Sequence, residues 1–296
     1  MTITILDGSI GQELVHRSDV PATPYWSTSV MHQQPDLVRE LHAEYFASGA
    51  DIATTNTYPV LPDRLDGSGY EDQLTQLVQA AAHAAIDARD QHGSGKVAGA
   101  LGPLGASYRT DFDHTVEDAR ALYGDVIGAM NSDVDFLIAE TVSSVAQARN
   151  VIDATAFHSE KPVWIALSVT DEDGTKLRSG EDLADVVPLM DASHVEAVLI
   201  NCTRPEGVKD ALQIIAKAGK PFGAYANGFT DIDGAFLKDS PTVDVLSARK
   251  DLGPNEYADF AQTWVDVGAT IIGGCCEVGP AHIAELARRF KYNFCL

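Results

Sequence analysis

Eight short apolar runs, spread along the whole chain and separated by amphipathic stretches, constrain the fold more than any other feature. They are ITILDGS (3–9), DIATTNTY (51–58), KVAGALGP (96–103), DFLIAET (135–141), VWIALSVT (163–170), EAVLINCT (196–203), FGAYANG (222–228) and TIIGGCC (270–276). Each is continuous rather than alternating, which is how strands buried on both faces of a parallel sheet read. The stretches between them carry helical stripes: Leu37, Val38, Leu41 and Tyr45 in 35–49, and Tyr257, Phe260, Ala261, Trp264 and Val267 in 254–268. Pro35 and Pro254 sit where an opening turn tolerates proline, and Gly49, Gly219 and Gly268 sit where helices stop. Eight strands, each followed by a helical segment, predict an α/β fold, a (β/α)8 TIM barrel. The competing architecture is an open doubly wound sheet, which wants a glycine-rich phosphate turn after its first strand; DGSIGQEL is not that turn.

No repeat of 20–50 residues and no linker divides the chain, so 1–296 is expected to form one barrel domain. Its 43 acidic side chains against 21 basic ones give a formal charge of −22. That balance lacks the clustered Lys and Arg that phosphate backbones require, and it excludes nucleic acid and anionic membrane surfaces as partners. No apolar stretch reaches the length of a membrane span. The N-terminus enters a strand-like run at once, without the basic and long apolar regions of a secretory signal, so a cytoplasmic protein is expected. Four cysteines, Cys202, Cys275, Cys276 and Cys295, do not make a disulfide framework in a chain this long.

Barrels do their chemistry at the C-terminal ends of the strands. The residues at those ends are Asp7, Asn56, Gly102, Glu140, Asn201, Cys202, Asn227, Cys275 and Cys276. Three cysteines thus end the sixth and eighth strands, which one neighbour separates in a ring. Converging thiolates form a soft ligand set suited to Zn²⁺ with one tetrahedral position left over. The alternatives are inert buried thiols or a vicinal Cys275–Cys276 disulfide. Trp26, Tyr58, Tyr108 and Tyr225 fall near loops on the same side, where aromatic faces can meet a cationic methyl group. The stretch DEDGTKLRSGED (171–182) reads as a lid or a solvated loop, and 228–253 as an active-site loop or a carrier of oligomer contacts.

GGCCEVGPAHI (273–283), INCTRPEGV (200–208) and LDGSIGQEL (6–14) resemble the zinc-dependent homocysteine S-methyltransferases. The stretch 24–58, ALGPLGAS (100–107) and IAET (138–141) extend the resemblance from the first strand to the last helix. It implies a cytoplasmic enzyme that moves a methyl group onto homocysteine sulfur to give methionine. By position, the family's zinc ligands fall on Cys202, Cys275 and Cys276, and its homocysteine-binding carboxylates on Asp7 and Glu140. Asn56 and Asn227 are further candidates for orienting substrate. This chain reads DGS, with Ser9, where the family commonly reads DGG. PYWS beside Trp26 resembles the S-methylmethionine branch, so a sulfonium donor is expected, S-methylmethionine ahead of S-adenosylmethionine. A related acceptor such as selenocysteine, and a non-catalytic zinc- or thiol-binding barrel, are the alternatives. Cys295, beyond the last strand, is expected to be a packing residue.

Overall fold

The computed structural model describes residues 2–20, 23, 25–111, 114–232, 237 and 246–291. Cys295 and much of 228–253 lie outside them. All eight apolar runs contain a strand: β1 Thr4–Ile5, β2 Ile52–Thr54, β3 Lys96–Leu101, β4 Phe136–Val142, β5 Val163–Leu167, β6 Val195–Asn201, β7 Phe222–Tyr225 and β8 Ile271–Ile272. Every pairing is parallel and joins sequence neighbours, with β8 returning to β1. A parallel bridge between Leu6 and Ile52 brings β1 against β2, so the sheet curls into a ring. The fold is a (β/α)8 barrel.

Continuous apolar strands are explained by two cores. Leu6, Ala98, Ala100, Phe136, Ile138, Trp164, Ala166 and Leu199 fill the barrel interior. Their chain neighbours Val97, Leu101, Leu137, Ala139, Ile165 and Ile200 face the surrounding helices. Alternation is present; both partitions are apolar, so composition hides it.

α1 Gly11–Arg17, α2 Ser27–Gln33 and α3 Pro35–Ala47 connect β1 to β2, and α4 Pro62–Leu65 with α5 Leu74–His92 connects β2 to β3. α6 Val116–Met130, α7 Val145–His158, α8 Pro205–Ile215, α9 Pro254–Asp266 and α10 Pro280–Phe290 follow β3, β4, β6, β7 and β8. Proline opens α3, α8, α9 and α10, where its missing N–H costs no intrahelical bond. α6 opens on a capping box between Thr115 and Asp118. The connection after β5 departs from the pattern: Leu183–Asp191 is a 3₁₀ helix with Pro188 inside it. Proline removes an i→i−4 donor and crowds the preceding turn, which opposes an α-helix there.

Candidate active site

The strand ends open into a cavity at the barrel mouth. Asp7, Asn56, Glu140, Cys202, Cys275 and Cys276 all line it. Asn227 does not: it is fully buried, its Oδ1 accepting from the Phe229 N–H at 3.2 Å, and its Nδ2 has no partner. Asn56 lines the cavity with its amide engaged elsewhere, accepting from the Ser27 hydroxyl at 2.8 Å and donating weakly to the Ser27 carbonyl at 3.5 Å. Trp26, Tyr58, Tyr108 and Tyr225 are all cavity walls, Trp26 and Tyr58 meeting edge to face at 6.0 Å.

The loop after β8 delivers two of the cysteines and is stitched on both sides. Gly274 donates to the Asp7 carbonyl at 3.0 Å, Cys275 to the Ala226 carbonyl at 3.0 Å, and Gly228 to the Cys276 carbonyl at 2.8 Å. Tyr257 of α9 ties the strand ends from outside: its hydroxyl accepts from the Ala226 N–H at 3.0 Å and donates to the Gly273 carbonyl at 2.7 Å. Gly8 permits the opposite approach, since a Cβ there would stand 2.1 Å from the Val278 carbonyl oxygen.

The sulfurs of Cys202, Cys275 and Cys276 all lie within 4.8 Å of one another. Cys202 and Cys275 are joined as a disulfide, with Cα atoms 5.8 Å apart, and Cys276 is free. The paired residues end strands six and eight; the vicinal Cys275–Cys276 bond does not form. In dithiol form the same three sulfurs fit a metal: Zn–S bonds of about 2.3 Å in a tetrahedron set sulfurs roughly 3.8 Å apart. Burial and then the acidic neighbours Glu277 and Glu140 push the Cys276 thiol up to about 12. A bound cation reverses that preference.

The same cavity holds two carboxylates, Asp7 buried and Glu140 half-buried. Asp7 accepts from the Thr54 N–H at 2.7 Å and from its hydroxyl at 2.9 Å. Burial nevertheless holds its carboxyl well above the usual range, the Thr54 bonds opposing and Glu140 adding to the rise. Glu140 accepts from the Tyr225 hydroxyl at 2.9 Å, and burial raises it to about 7. It reaches the mouth through a bulge: the register of β4 on β5 shifts between Ala139 and Val142, and Thr141 takes φ 57°. Asn201 holds that bulge, its Oδ1 accepting from the Thr141 N–H at 2.9 Å and its Nδ2 donating to Thr141 Oγ1 at 3.2 Å. Two acids that resist ionisation alone are suited to a cationic guest, which restores both charges.

Thr54 escaped the sequence reading, and Asn201 was placed at a strand end without a role. A threonine inside a strand and an asparagine at its end carry no pattern separating a buried bond from a turn. Ser9 keeps a hydroxyl that is buried on the cavity wall without a partner.

A barrel with clustered thiols and two desolvated carboxylates at its mouth has the parts of an enzyme acting on a thiol-bearing amine. The family model described as Homocysteine S-methyltransferase matches residues 4–290, and the chain belongs to that family. A homocysteine S-methyltransferase of Escherichia coli (strain K12) is 28% identical, covering 97% of this chain and 95% of its own. The selenocysteine Se-methyltransferase of Brassica oleracea var. italica is 24% identical, over 96% of this chain and 88% of its own. The metallated form of the E. coli homocysteine methyltransferase MmuM superposes with a TM-score of 0.82 at 28% identity, covering 98% and 96% of the two chains.

Proposed function

We propose that residues 1–296 form one catalytic domain, a cytoplasmic homocysteine S-methyltransferase whose reduced Cys202, Cys275 and Cys276 hold Zn²⁺. The observation that carries this reading is the meeting of three cysteine sulfurs and two carboxylates, Asp7 buried and Glu140 half-buried, in a single cavity. When bound, Zn²⁺ would keep the acceptor thiol ionised, whereas a free thiol is only roughly 3% thiolate at pH 7.

The chain's own residues do the rest. Asp7 and Glu140 take the acceptor's ammonium group by charge-assisted hydrogen bonds, with Thr54 and Tyr225 fixing their oxygens. That anchors the amino end and aims the sulfur at the cysteine cluster. The walls Trp26, Tyr58, Tyr108 and Tyr225 offer aromatic faces to a cationic donor and exclude water from the transfer. No residue has to move a proton at the transfer step, so the rate gain belongs to alignment of sulfur and methyl. Three thiolates outweigh a divalent cation by one negative charge, which favours a sulfonium whose charge is lost on transfer. Between the two sulfoniums, the likeness of PYWS (24–27) to the S-methylmethionine branch makes S-methylmethionine the preferred donor and S-adenosylmethionine a weaker one, with no activity expected from methyl-tetrahydrofolate.

Two measurements test this. Protein purified under reductant is expected to carry about one Zn²⁺ per chain, as one Cys₃ site requires. The Cys202→Ala variant is expected to lose it. Equal zinc in both would remove Cys202 from the site. Donors assayed side by side at one homocysteine concentration then rank the sulfoniums, and faster turnover with betaine would defeat the charge argument. Because one relative acts on selenocysteine, that acceptor belongs in the same assay as a competitor.

A further inference from the structure

The stretch 171–182 holds a side chain that reaches the cysteine cluster from behind. Arg178 is mostly buried, at 11% side-chain exposure, and its partner Asp171 is at 7%. The pair is bidentate, Nη1 to Oδ2 and Nη2 to Oδ1, both at 3.0 Å. The remaining donors are not idle. Nη2 also donates to the Cys202 carbonyl oxygen at 3.0 Å, and Nε donates to Ser168 Oγ at 3.1 Å. Ser168 Oγ in turn donates to the same Cys202 carbonyl at 3.2 Å. Asp171 Oδ1 additionally accepts the Arg204 N–H at 3.0 Å, two residues past Cys202. The guanidinium lies over the Tyr108 ring, 5.0 Å from its centroid, and Tyr108 is a wall of the cavity.

Cys202 needs such a grip. Its φ is 47°, in the left-handed region that a non-glycine residue leaves unless its surroundings hold it. The peptide after it carries the carbonyl, so fixing that oxygen fixes the direction in which the Cys202 side chain leaves the backbone. Two donors on one carbonyl, one from a guanidinium clamped by its own carboxylate, do this from outside the cavity. Neither Arg178 nor Ser168 lines the cavity. A lysine could not replace the fork, because a point ammonium cannot serve Ser168, Asp171 and Cys202 in one plane while stacking on Tyr108.

We infer that Arg178, clamped by Asp171, is a positioning residue that holds Cys202 in its metal-binding orientation and locks the Tyr108 wall to it. The inference rests on the zinc reading above. Outer-shell partners of this kind change metal affinity by about 10- to 100-fold.

The experiment uses the full-length reduced protein, with zinc affinity measured by chelator competition and the Co²⁺-substituted protein recorded for its thiolate-to-metal charge-transfer and d–d bands. Arg178→Met is expected to bind zinc about 10- to 100-fold more weakly and to show a shifted Co²⁺ spectrum. Arg178→Lys is expected to recover neither. Arg120→Met, which removes the ion pair of Arg120 with Asp153 on α6 and α7, is the control for general loss of stability and is expected to keep both signals. Should Arg178→Met fail to fold, Asp171→Asn keeps the volume and loosens the clamp, with a loss of about 10-fold expected. Wild-type zinc affinity and spectrum in a folded Arg178→Met, whatever its melting temperature, would overturn the inference. So would full rescue by lysine. Wild-type protein that takes no metal when reduced overturns the zinc reading itself, and the two failures are thereby told apart.

Discussion

Burial raises the Glu140 carboxyl to about 7, the bond from the Tyr225 hydroxyl opposing the rise and fixing one of its oxygens. Replacing it with glutamine keeps the shape and the acceptor oxygen for Tyr225 but removes the charge. Glu140→Gln is expected to raise the homocysteine KM about 10- to 100-fold, the worth of a charge-assisted bond, with bound metal unchanged. The pH dependence has a definite sign. A carboxyl that loses its proton near 7 binds an ammonium progressively worse as pH falls below 7, so the wild-type KM rises on the acid side. The glutamine variant lacks that limb, and comparing the two profiles separates it from titration of the substrate thiol. An unchanged KM at pH 8 would take Glu140 out of the substrate contact. Strand-end placement put Asp7, Glu140 and the three cysteines at the barrel mouth, where they line the cavity, while the roles proposed for them come from the family resemblance. Arg178 and Asp171 were not legible in advance: in DEDGTKLRSGED they look like any charged loop, and only the folded chain turns that loop back against β6.

Among the elements, the strands were legible and one connection was not. Short apolar runs report burial on both faces, and all eight held. The segment after β5 has the length and apolar content of a helix, but Pro188 inside it turns it into 3₁₀ geometry. A local steric exclusion overrode the pattern. α3 hides a different feature beneath a regular stripe. His42 is fully buried on it, with both ring nitrogens unpartnered, and burial lowers it to about 4. In the unfolded chain the same ring titrates near 6.5. Between those values the unfolded state binds the extra proton, so stability falls as pH drops from about 6.5 toward 4 and the loss then levels off. The full loss is about 3 kcal/mol. His42→Leu is expected to flatten this limb in urea melts run at pH 5 and pH 8, and to gain stability at both, because a buried ring with two unmet polar atoms is replaced by an apolar side chain. A variant with the same drop between pH 8 and pH 5 as wild type would show that His42 is not its source.

Taken as one body, the molecule carries 43 acidic and 21 basic side chains, a formal charge of −22. Two consequences of that charge pull in opposite directions when salt is added. Self-repulsion of the folded chain opposes compactness, so screening stabilises it. The same field gathers cations, and a sulfonium amino acid carries a net positive charge near neutral pH, so screening weakens its capture. Raising ionic strength from about 0.02 to 0.3 M shortens the Debye length from about 20 Å to about 6 Å, well inside the dimensions of a barrel. The melting temperature is therefore expected to rise over that range while kcat/KM for the sulfonium donor falls several-fold. Homocysteine, a zwitterion with no net charge before its thiol ionises, is expected to keep its KM within a factor of about two, since steering acts on net charge. NaCl and KCl must give the same curves if screening is the cause. A melting temperature that rises together with an unchanged donor kcat/KM would mean that the field stabilises nothing at the mouth, and that donor selection rests on the aromatic walls alone.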